Sequence, residues 1–399
     1  MFPLTVSSPC IVSAVGAGQA ATLSALRGGR SGLGPCRFPS ADLPTWVGEI
    51  AALDDLRLDQ GLAEFDCRNN RLAELALRQD GFLAAAGAAV ARYGRDRIGL
   101  FLGTSTSGIQ QAELAYRACD PRTGELPAWF DYGRTQNTWS LARYLHARLG
   151  ITGPSLVVSC ACASTAKAFA NAARMIATGR CDAAIVGGAD SLCLTTLYGF
   201  QSLQLNAEGP CRPFDAARSG ISIGEAAGFV LVEKPGATSD VDAPAISLLG
   251  IGESNDAHHM SSPHPEGIGA RLAMQRALAS AGLRADEIDY INLHGTATRA
   301  GDAAEDRAAF ELFGDRTCVG STKGQTGHTL GAAGIIEAII AWLAIRHGLR
   351  PGNPNTERVD PSLKCRYAIT PAAAPIERVM SNSFGFGGNN CSLIFGRAR

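Results

Sequence analysis

The sequence predicts an α/β fold with largely parallel sheets. Short β-rich, apolar runs alternate with segments of helical periodicity along the whole chain, which is typical of this architecture. The runs that read as buried strands cover 98–103, 156–159, 183–187, 229–233, 246–251, 288–293 and 393–395. The segments that read as helices cover 72–93, 163–178, 269–281, 303–313 and 334–346.

One stretch has the composition of a linker. Residues 235–244 are rich in Pro, Gly, Ser and Asp and lie between two strand-like runs. We therefore expect two halves, 1–240 and 241–399.

Composition restricts the partners. The 399 residues are 46% hydrophobic and 18% charged, with a formal net charge of −1, so no global electrostatic field attracts nucleic acid or a membrane surface. The 12 cysteines are scattered and form no CxxC pair, which favours free thiols in a reducing compartment.

Targeting signals are weak. No Lys or Arg precedes Arg27, so the N-terminus lacks the basic start of a signal peptide. The apolar run 335–345 contains Glu337 and is shorter than the roughly 20 residues that cross a bilayer. We expect a cytoplasmic enzyme.

The stretch around Cys160 and Cys162 is the first candidate for chemistry. An apolar run ends there at small residues, and an alanine-rich helical pattern follows at once. The N-terminus of a helix favours negative charge, so a thiol at that turn would lose its proton more easily and act as a nucleophile. On this stretch alone, small buried cysteines in a tight turn explain the pattern better.

Three later stretches supply partners for such a thiol. They are 292–298 (NLHGTAT), 321–328 (STKGQTGH) and 381–390 (SNSFGFGGNN). Together with the cysteine turn, and in this order, they resemble the elongating Cys-His-His condensing enzymes, the β-ketoacyl-acyl carrier protein synthases of the thiolase superfamily. The resemblance spans most of the chain. It implies a thiolase-like, five-layered αβαβα fold with two pseudo-symmetric halves.

The resemblance also implies a decarboxylative condensation of malonyl and acyl units. Cys162, the second cysteine of its turn, would hold the acyl group, while neutral His294 and His328 would each donate a hydrogen bond to the enolate. Lys323 would orient His328, and its buried charge requires a carboxylate, for which Glu337 and Asp302 are the matching positions. Taken alone, each histidine reads as an ordinary turn residue and Lys323 as a solvated surface charge.

Further residues carry binding roles in the family. The Phe386 ring would act as a gate, and its backbone N–H would form an oxyanion hole with that of Cys162. The residues expected to contact the pantetheine arm or the acyl chain are Thr296, Thr298, Ser261 and Ile109. Two positions depart from the family pattern: Asn389, where many relatives have Thr, and Arg299, where Pro is usual.

The implied partner is an acyl carrier protein, which is acidic and brings its substrates on phosphopantetheine, so we expect no bound cofactor. Because this chain is nearly neutral, docking would need a local group of arginines, for which the candidates are Arg68, Arg71, Arg117 and Arg122. Ordinary solvated arginines explain any single one equally well. We expect a homodimer, or a heterodimer with a ketosynthase-like subunit, and no membrane or nucleic acid partner. No metal is expected, because His258, His259 and His264 match no zinc spacing.

Other functions have to be weighed. A thiolase acting on coenzyme A thioesters would carry a second catalytic cysteine in a Cys-x-Gly turn near the C-terminus, but Cys391 lies beyond the glycine-rich loop. A non-catalytic, chain-length-factor-like subunit would lack the nucleophile. A Cys-His hydrolase would need an orienting Asn or Asp that is not evident. Short stretches resemble the synthases of aryl polyene and type II polyketide clusters more than fatty acid enzymes.

Overall fold

The first half of the chain supplies one layered unit. The computed structural model describes residues 2–236 and 245–397. The strands of the first half are β1 (Leu4–Ser13), β2 (Gly16–Ala17), β3 (Gly34–Pro35), β4 (Trp46–Gly48), β5 (Ile98–Gly103), β6 (Ser155–Val158), β7 (Ala183–Asp190), β8 (Ile223–Gly224) and β9 (Ala226–Glu233). Its helices are α1 (Gly18–Gly28), α2 (Arg68–Leu77), α3 (Phe82–Tyr93), α4 (Ile109–Arg117), α5 (Ser140–Leu149), α6 (Ser164–Ala177) and α7 (Leu194–Ser202).

The second half supplies the other unit. Its strands are β10 (Ile246–Asn255), β11 (Tyr290–Asn292), β12 (Cys318–Gly320), β13 (Leu349–Arg350), β14 (Arg366–Tyr367), β15 (Ala372–Ala373), β16 (Arg378–Gly385) and β17 (Asn389–Arg397). Its helices are α8 (Ile268–Ala281), α9 (Arg299–Phe313), α10 (Lys323–Thr326) and α11 (Ala333–His347).

The two halves share one strand order. A short antiparallel contact between β1 and β10 joins them, and outward from it the order is β1-β9-β7-β5-β6 on one side and β10-β17-β16-β11-β12 on the other. When only these five strands of each half are numbered in chain order, both halves give the spatial order first, fifth, fourth, second, third. This repeated order confirms two pseudo-symmetric halves. The exact boundary stays a prediction, because residues 237–244 lie outside the described residues.

The expectation of largely parallel sheets was wrong. β5 pairs in parallel with β6 and β7, and β11 with β12 and β16, but β9 and β17 run antiparallel to both of their neighbours. The turn from β16 into β17 is only three residues long, too short for the crossover that a parallel pair needs. Both strands are buried for most of their length, so the apolar pattern did not reveal their direction.

Helices fill three layers around the sheet halves. α6 and α11 pack between the two halves in the largest core cluster, α2, α3 and α5 cover the outer face of the first half, and α8 and α9 cover that of the second. This confirms the five-layered αβαβα arrangement. The predicted helix 72–93 is two helices, because Gly81 takes a left-handed conformation (φ 72°) that breaks the turn between α2 and α3.

The central helix is longer than its sequence pattern indicated. The 3₁₀ turn Leu330–Ala332 runs directly into α11, and together they make Leu330–His347. Among the described residues this is the single helical stretch that is both long enough, at 18 residues, and apolar enough to span a membrane, so the prediction that the run is too short was wrong. Of this stretch, 83% is buried inside the protein. It is therefore the core helix between the two sheet halves.

Candidate active site

Cys162 lies in a sharp turn between β6 and α6. Ala161 takes a left-handed conformation (φ 53°), which bends the chain abruptly after the strand. The hydroxyl of Ser164 accepts a hydrogen bond from the Cys160 N–H (2.9 Å) and donates one to the Ala161 carbonyl (2.6 Å), so the turn is closed from inside. Cys162 is thereby held just before the first turn of α6, buried at the floor of a cavity.

The two histidines converge on this thiol from the second half. Nε2 of His328 lies 2.9 Å from Sγ of Cys162. The His294 ring stands nearly perpendicular to the His328 ring, with centroids 5.2 Å apart. Among the described residues these three form the single cluster whose donor atoms could hold a metal, all within 4.8 Å of one another. The structure thus brings together the nucleophile and both histidines that the resemblance singled out.

Lys323 contacts His294 and not His328, so the predicted orientation of His328 by Lys323 was wrong. Its Nζ lies 3.3 Å from Nδ1 of His294 and forms a buried ion pair with Glu337. The reason is strand pairing: β12, which leads to Lys323, lies beside β11, which leads to His294. Because an ammonium only donates, Nδ1 of His294 accepts and Nε2 carries the proton, facing the cavity as a donor.

Asp302 does not pair with Lys323, which corrects the second carboxylate prediction. Its carboxylate accepts hydrogen bonds from the Phe214 N–H (2.7 Å) and the Ala297 N–H (3.1 Å), and it lies 3.4 Å from the Arg218 guanidinium. Burial raises the pKa of Asp302 to about 7. Asp302 sits in the first turn of α9 and therefore supports the turn that bears Thr296.

Glu305 is a site residue that sequence reasoning missed. One oxygen accepts from the His294 N–H (2.7 Å) and the other from the Gly295 N–H (2.8 Å), and its side chain lines the cavity. Burial raises its pKa. Its position three residues after Asp302 places both carboxylates on one face of a helix, a signal that could have identified it.

Burial, and not the helix terminus, dominates the acidity of the thiol. The pKa of Cys162 is raised to about 11 by burial, although Lys323 and the backbone N–H groups of Phe386 and Cys162 lower it. The expected acidic thiol is therefore wrong. Burial, and next the charge of Lys323, hold the pKa of both His294 and His328 well below the ordinary value. A neutral thiol faces neutral imidazoles near pH 7.

Phe386 lies beside the thiol in a glycine-rich loop. Its backbone N–H lies close enough to the Cys162 sulfur to lower the pKa of that thiol. Its ring stacks on Phe200 of α7, with centroids 5.6 Å apart and planes inclined by 26°. After the loop, Asn389 accepts a hydrogen bond from Nζ of Lys167 (3.2 Å), so the departure at Asn389 is matched by a partner on α6.

A cavity of about 130 Å³ opens beside the triad of Cys162, His294 and His328. The hydroxyls of Thr296 and Thr298 lie 3.3 Å apart on its wall, as their alternation predicted, and Ser261 also lines it. Ile109 is not among the described residues lining this cavity, and it is half-buried as the first residue of α4. Arg299 begins α9, so the chain enters a helix directly after Thr298.

Two family models match the chain, one in each half. The model of the beta-ketoacyl synthase N-terminal domain matches residues 69–236, and that of the beta-ketoacyl synthase C-terminal domain matches residues 246–357. The chain belongs to the β-ketoacyl synthase family.

Three relatives match between 75% and 100% of the chain. It is 32% identical to 3-oxoacyl-[acyl-carrier-protein] synthase 2 of Coxiella burnetii over 97% of this chain and 96% of that protein. It is 37% identical to the mitochondrial 3-oxoacyl-[acyl-carrier-protein] synthase of Arabidopsis thaliana over 75% of this chain and 68% of that protein. A ketosynthase (ApeO) solved in complex with its chain length factor (ApeC) from Xenorhabdus doucetiae is 36% identical, with a TM-score of 0.86, and covers 100% of this chain and 98% of that one.

Of the four candidate docking arginines, two are largely buried in ion pairs and two lie at the surface. Arg68 is buried, donates two hydrogen bonds to Glu225 (2.7 and 2.8 Å) and one to Asp54 (2.7 Å), so its assignment to a docking surface was wrong. Arg71 forms a two-bond ion pair with Asp66 and is 20% exposed.

Arg117 and Arg122 lie at the surface and remain candidates. Arg117 donates a hydrogen bond to the Ser40 hydroxyl (3.1 Å), and Arg122 is 88% exposed.

Proposed function

We propose that this chain is a β-ketoacyl-acyl carrier protein synthase, an acyltransferase that condenses a malonyl unit with an acyl group held on Cys162. The observation that carries the proposal is the buried Cys162–His328 contact of 2.9 Å with His294 beside it. This set supplies a nucleophile and two neutral hydrogen-bond donors or acceptors, all buried beside one cavity, as the reaction requires.

Acyl loading uses Cys162 and His328. Sγ attacks the thioester carbonyl of the acyl carrier, forming the C–Sγ bond. The bond to the pantetheine sulfur breaks, and the thiol proton passes by way of His328 Nε2 to that leaving sulfur. Since the pKa of Cys162 is about 11, the thiol needs this neighbouring base at neutral pH. The negative charge on the carbonyl oxygen is met by the backbone N–H groups of Cys162 and Phe386.

Decarboxylation and condensation use both histidines. When the malonyl thioester binds, its C–C bond to the carboxylate breaks, carbon dioxide leaves, and the electron pair forms an enolate. His294 donates a hydrogen bond from its Nε2–H to the enolate oxygen. Once Cys162 is acylated, Nε2 of His328 no longer accepts from a thiol, so the Nε2–H tautomer of His328 donates a hydrogen bond to the same oxygen. The enolate carbon then attacks the acyl group on Cys162, the C–Sγ bond breaks with its electron pair on sulfur, and the thiolate takes up a proton from solvent to return the free cysteine.

The residues lining the cavity support a carrier-protein partner, and the solved complex of a relative supports a subunit partner. Thr296, Thr298 and Ser261 would bind the amides of a phosphopantetheine arm, so the enzyme needs no resident cofactor. The Xenorhabdus ketosynthase assembles with a chain length factor, and we propose a dimer of ketosynthase-like subunits for this chain also. We leave fatty acid, aryl polyene and polyketide chains as the candidate products.

The rival reactions fit the structure less well. Cys391 is fully buried in β17 opposite Ser383, and it is not among the described residues that line the cavity, so a second thiolase-type cysteine is missing from the site. A non-catalytic subunit is disfavoured because Cys162 and both histidines converge.

The test is product analysis by mass spectrometry after mixing the protein with acyl and malonyl carrier proteins. A 3-oxoacyl carrier protein and released carbon dioxide are expected. Free acid would indicate a hydrolase, and activity with coenzyme A thioesters alone would indicate a thiolase.

A further inference from the structure

The two histidines are held in different ways. His294 is fixed through its side chain by Lys323 at Nδ1 and through its main chain by Glu305. Nδ1 of His328 is buried and has no hydrogen-bond partner in the described part of the chain. Apart from its contact with Sγ of Cys162, the His328 ring is therefore positioned through the main chain on either side of it.

The main chain after His328 is held at Gly331 by two hydrogen bonds to side chains. The bend begins at Leu330, which takes a left-handed conformation (φ 53°). The Gly331 N–H donates to Oδ2 of Asp190 (2.5 Å), and the Gly331 carbonyl accepts from the Thr165 hydroxyl (2.7 Å). The same hydroxyl accepts from the Ile335 N–H (2.9 Å) in the first turn of α11. Both polar groups of one peptide residue are thus bound from the other half of the molecule.

Asp190 is itself immobilised. Its carboxylate accepts from the backbone N–H and the hydroxyl of Ser105 and of Thr106, and from the Thr104 hydroxyl, at 2.7–3.1 Å. The space is also tight, since a Cβ added to Gly331 would stand 2.7 Å from Oδ2 of Asp190. A fully hydrogen-bonded, buried carboxylate is a rigid anchor.

Thr165 connects the hydrogen-bonded Gly331 turn to the helix that begins after Cys162. It lies three residues after Cys162, in the first turn of α6, so the helix that presents the thiol also holds the turn that presents its base. We infer that Thr165 and Asp190 are positioning residues that set the spacing between Cys162 and His328 through Gly331. The inference rests on the proposed function, because it assigns these residues to the acyl-loading step.

The test compares two substitutions at Thr165. Thr165→Val removes the hydroxyl at nearly constant volume, and Thr165→Ser keeps it. We expect Thr165→Val to slow acylation of Cys162 by about 10-fold or more, as misplacement by a fraction of an ångström does, with KM for a small pantetheine thioester unchanged. Thr165→Ser should stay within about 2-fold of the wild type. Equal losses in both variants, or a loss confined to KM, would overturn the inference.

A second pair of variants keeps the test decisive if Thr165→Val folds poorly. Asp190→Asn replaces an acceptor by a donor facing the Gly331 N–H, and Asp306→Asn does the same to a buried carboxylate that binds the Lys364 and Cys365 N–H groups away from the triad. We expect slowed acylation with unchanged KM for Asp190→Asn only, in protein whose thermal unfolding is matched to that of Asp306→Asn. The same loss in both variants would contradict a positioning role.

Acyl-adduct formation by the wild-type protein distinguishes failure of the proposed function from failure of this inference. If the wild type forms no acyl adduct on Cys162, the proposed function fails. If it forms the adduct and the Thr165 and Asp190 variants match it, the function stands and the positioning inference fails.

Discussion

The two halves of the molecule have the same strand order and carry different chemistry at the same places. The strand ends of the first half present Thr104 after β5, Cys162 after β6 and Asp190 at β7, whereas the corresponding ends of the second half present His294, Lys323 and Phe386. One half therefore contributes the nucleophile and an anchoring carboxylate. The other contributes both histidines, Lys323 beside His294, and the glycine-rich loop that bears Phe386. The skeleton fixes where side chains meet, and the residue at each strand end decides what they do.

The largest effect is expected when Cys162, the nucleophile that only the first half supplies, is removed. Cys162→Ser should abolish acyl transfer, because a hydroxyl in this position is a far weaker nucleophile, while Cys160→Ser should retain most of it. Intact-protein mass after incubation with an acyl carrier protein thioester measures both. An acyl adduct on the Cys162→Ser protein would refute the assignment.

Removal of either histidine tests the second half. His294→Ala and His328→Ala should each cut carbon dioxide release from malonyl carrier protein by about 10²-fold or more, the effect of losing one oxyanion donor. Only His328 contacts the thiol, so acyl loading should slow in His328→Ala and persist in His294→Ala. Loading and decarboxylation are measured separately, by adduct mass and by carbon dioxide. Equal behaviour of the two variants in both assays would contradict the difference seen in the structure.

Lys323 of the second half lowers the pKa of the Cys162 thiol of the first half, which predicts that the pH dependence of thiol reactivity changes when Lys323 is replaced. Lys323 favours the thiolate, so Lys323→Met should raise the pKa of Cys162 and move the pH profile of its alkylation by iodoacetamide to higher pH. Glu337, whose pKa burial raises to about 7, can take up a proton when its partner is lost. Lys364→Met, at a lysine over the Phe310 ring, is the matched control and should leave the profile unchanged. A shift to lower pH in Lys323→Met would be incompatible with this role.

The smallest effect is expected at the surface. Charge reversal of Arg117 and Arg122 together should raise KM for the acidic carrier protein several-fold and weaken its salt dependence, while small pantetheine thioesters react as before. Steady-state kinetics at two salt concentrations measures this. An unchanged KM would place docking elsewhere.

Arg68 gives the contrasting control. Arg68→Ala leaves Glu225 buried without its cation, which costs about 3–5 kcal/mol of folding stability. It should therefore reduce activity with carrier protein and small thioester alike, together with a lower midpoint of thermal unfolding.

The fold class and the convergence of Cys162, His294, Lys323 and His328 were accessible from sequence, because the four short patterns that carry them resemble, together and in order, those of a known family. The partners of buried charges were not. Arg68 reads as an exposed helical residue, and its partner Glu225 is 157 residues away along the chain. Asp302 and Glu305 share a helix face, and only the folded geometry shows which turn each one binds. The acidity of Cys162 was also hidden, because it depends on how deeply the turn is buried.

Glu337 has a consequence outside the reaction. It lies near the middle of Leu330–His347, the one described stretch with the length and apolarity of a membrane span. Before the fold forms, such a segment emerging from the ribosome resembles a substrate for membrane insertion. An ionised side chain near the centre of an inserting helix opposes transfer into lipid by about 2.5–3.5 kcal/mol. The residue that pairs with Lys323 in the folded protein thus also lowers the tendency of this stretch to enter a membrane.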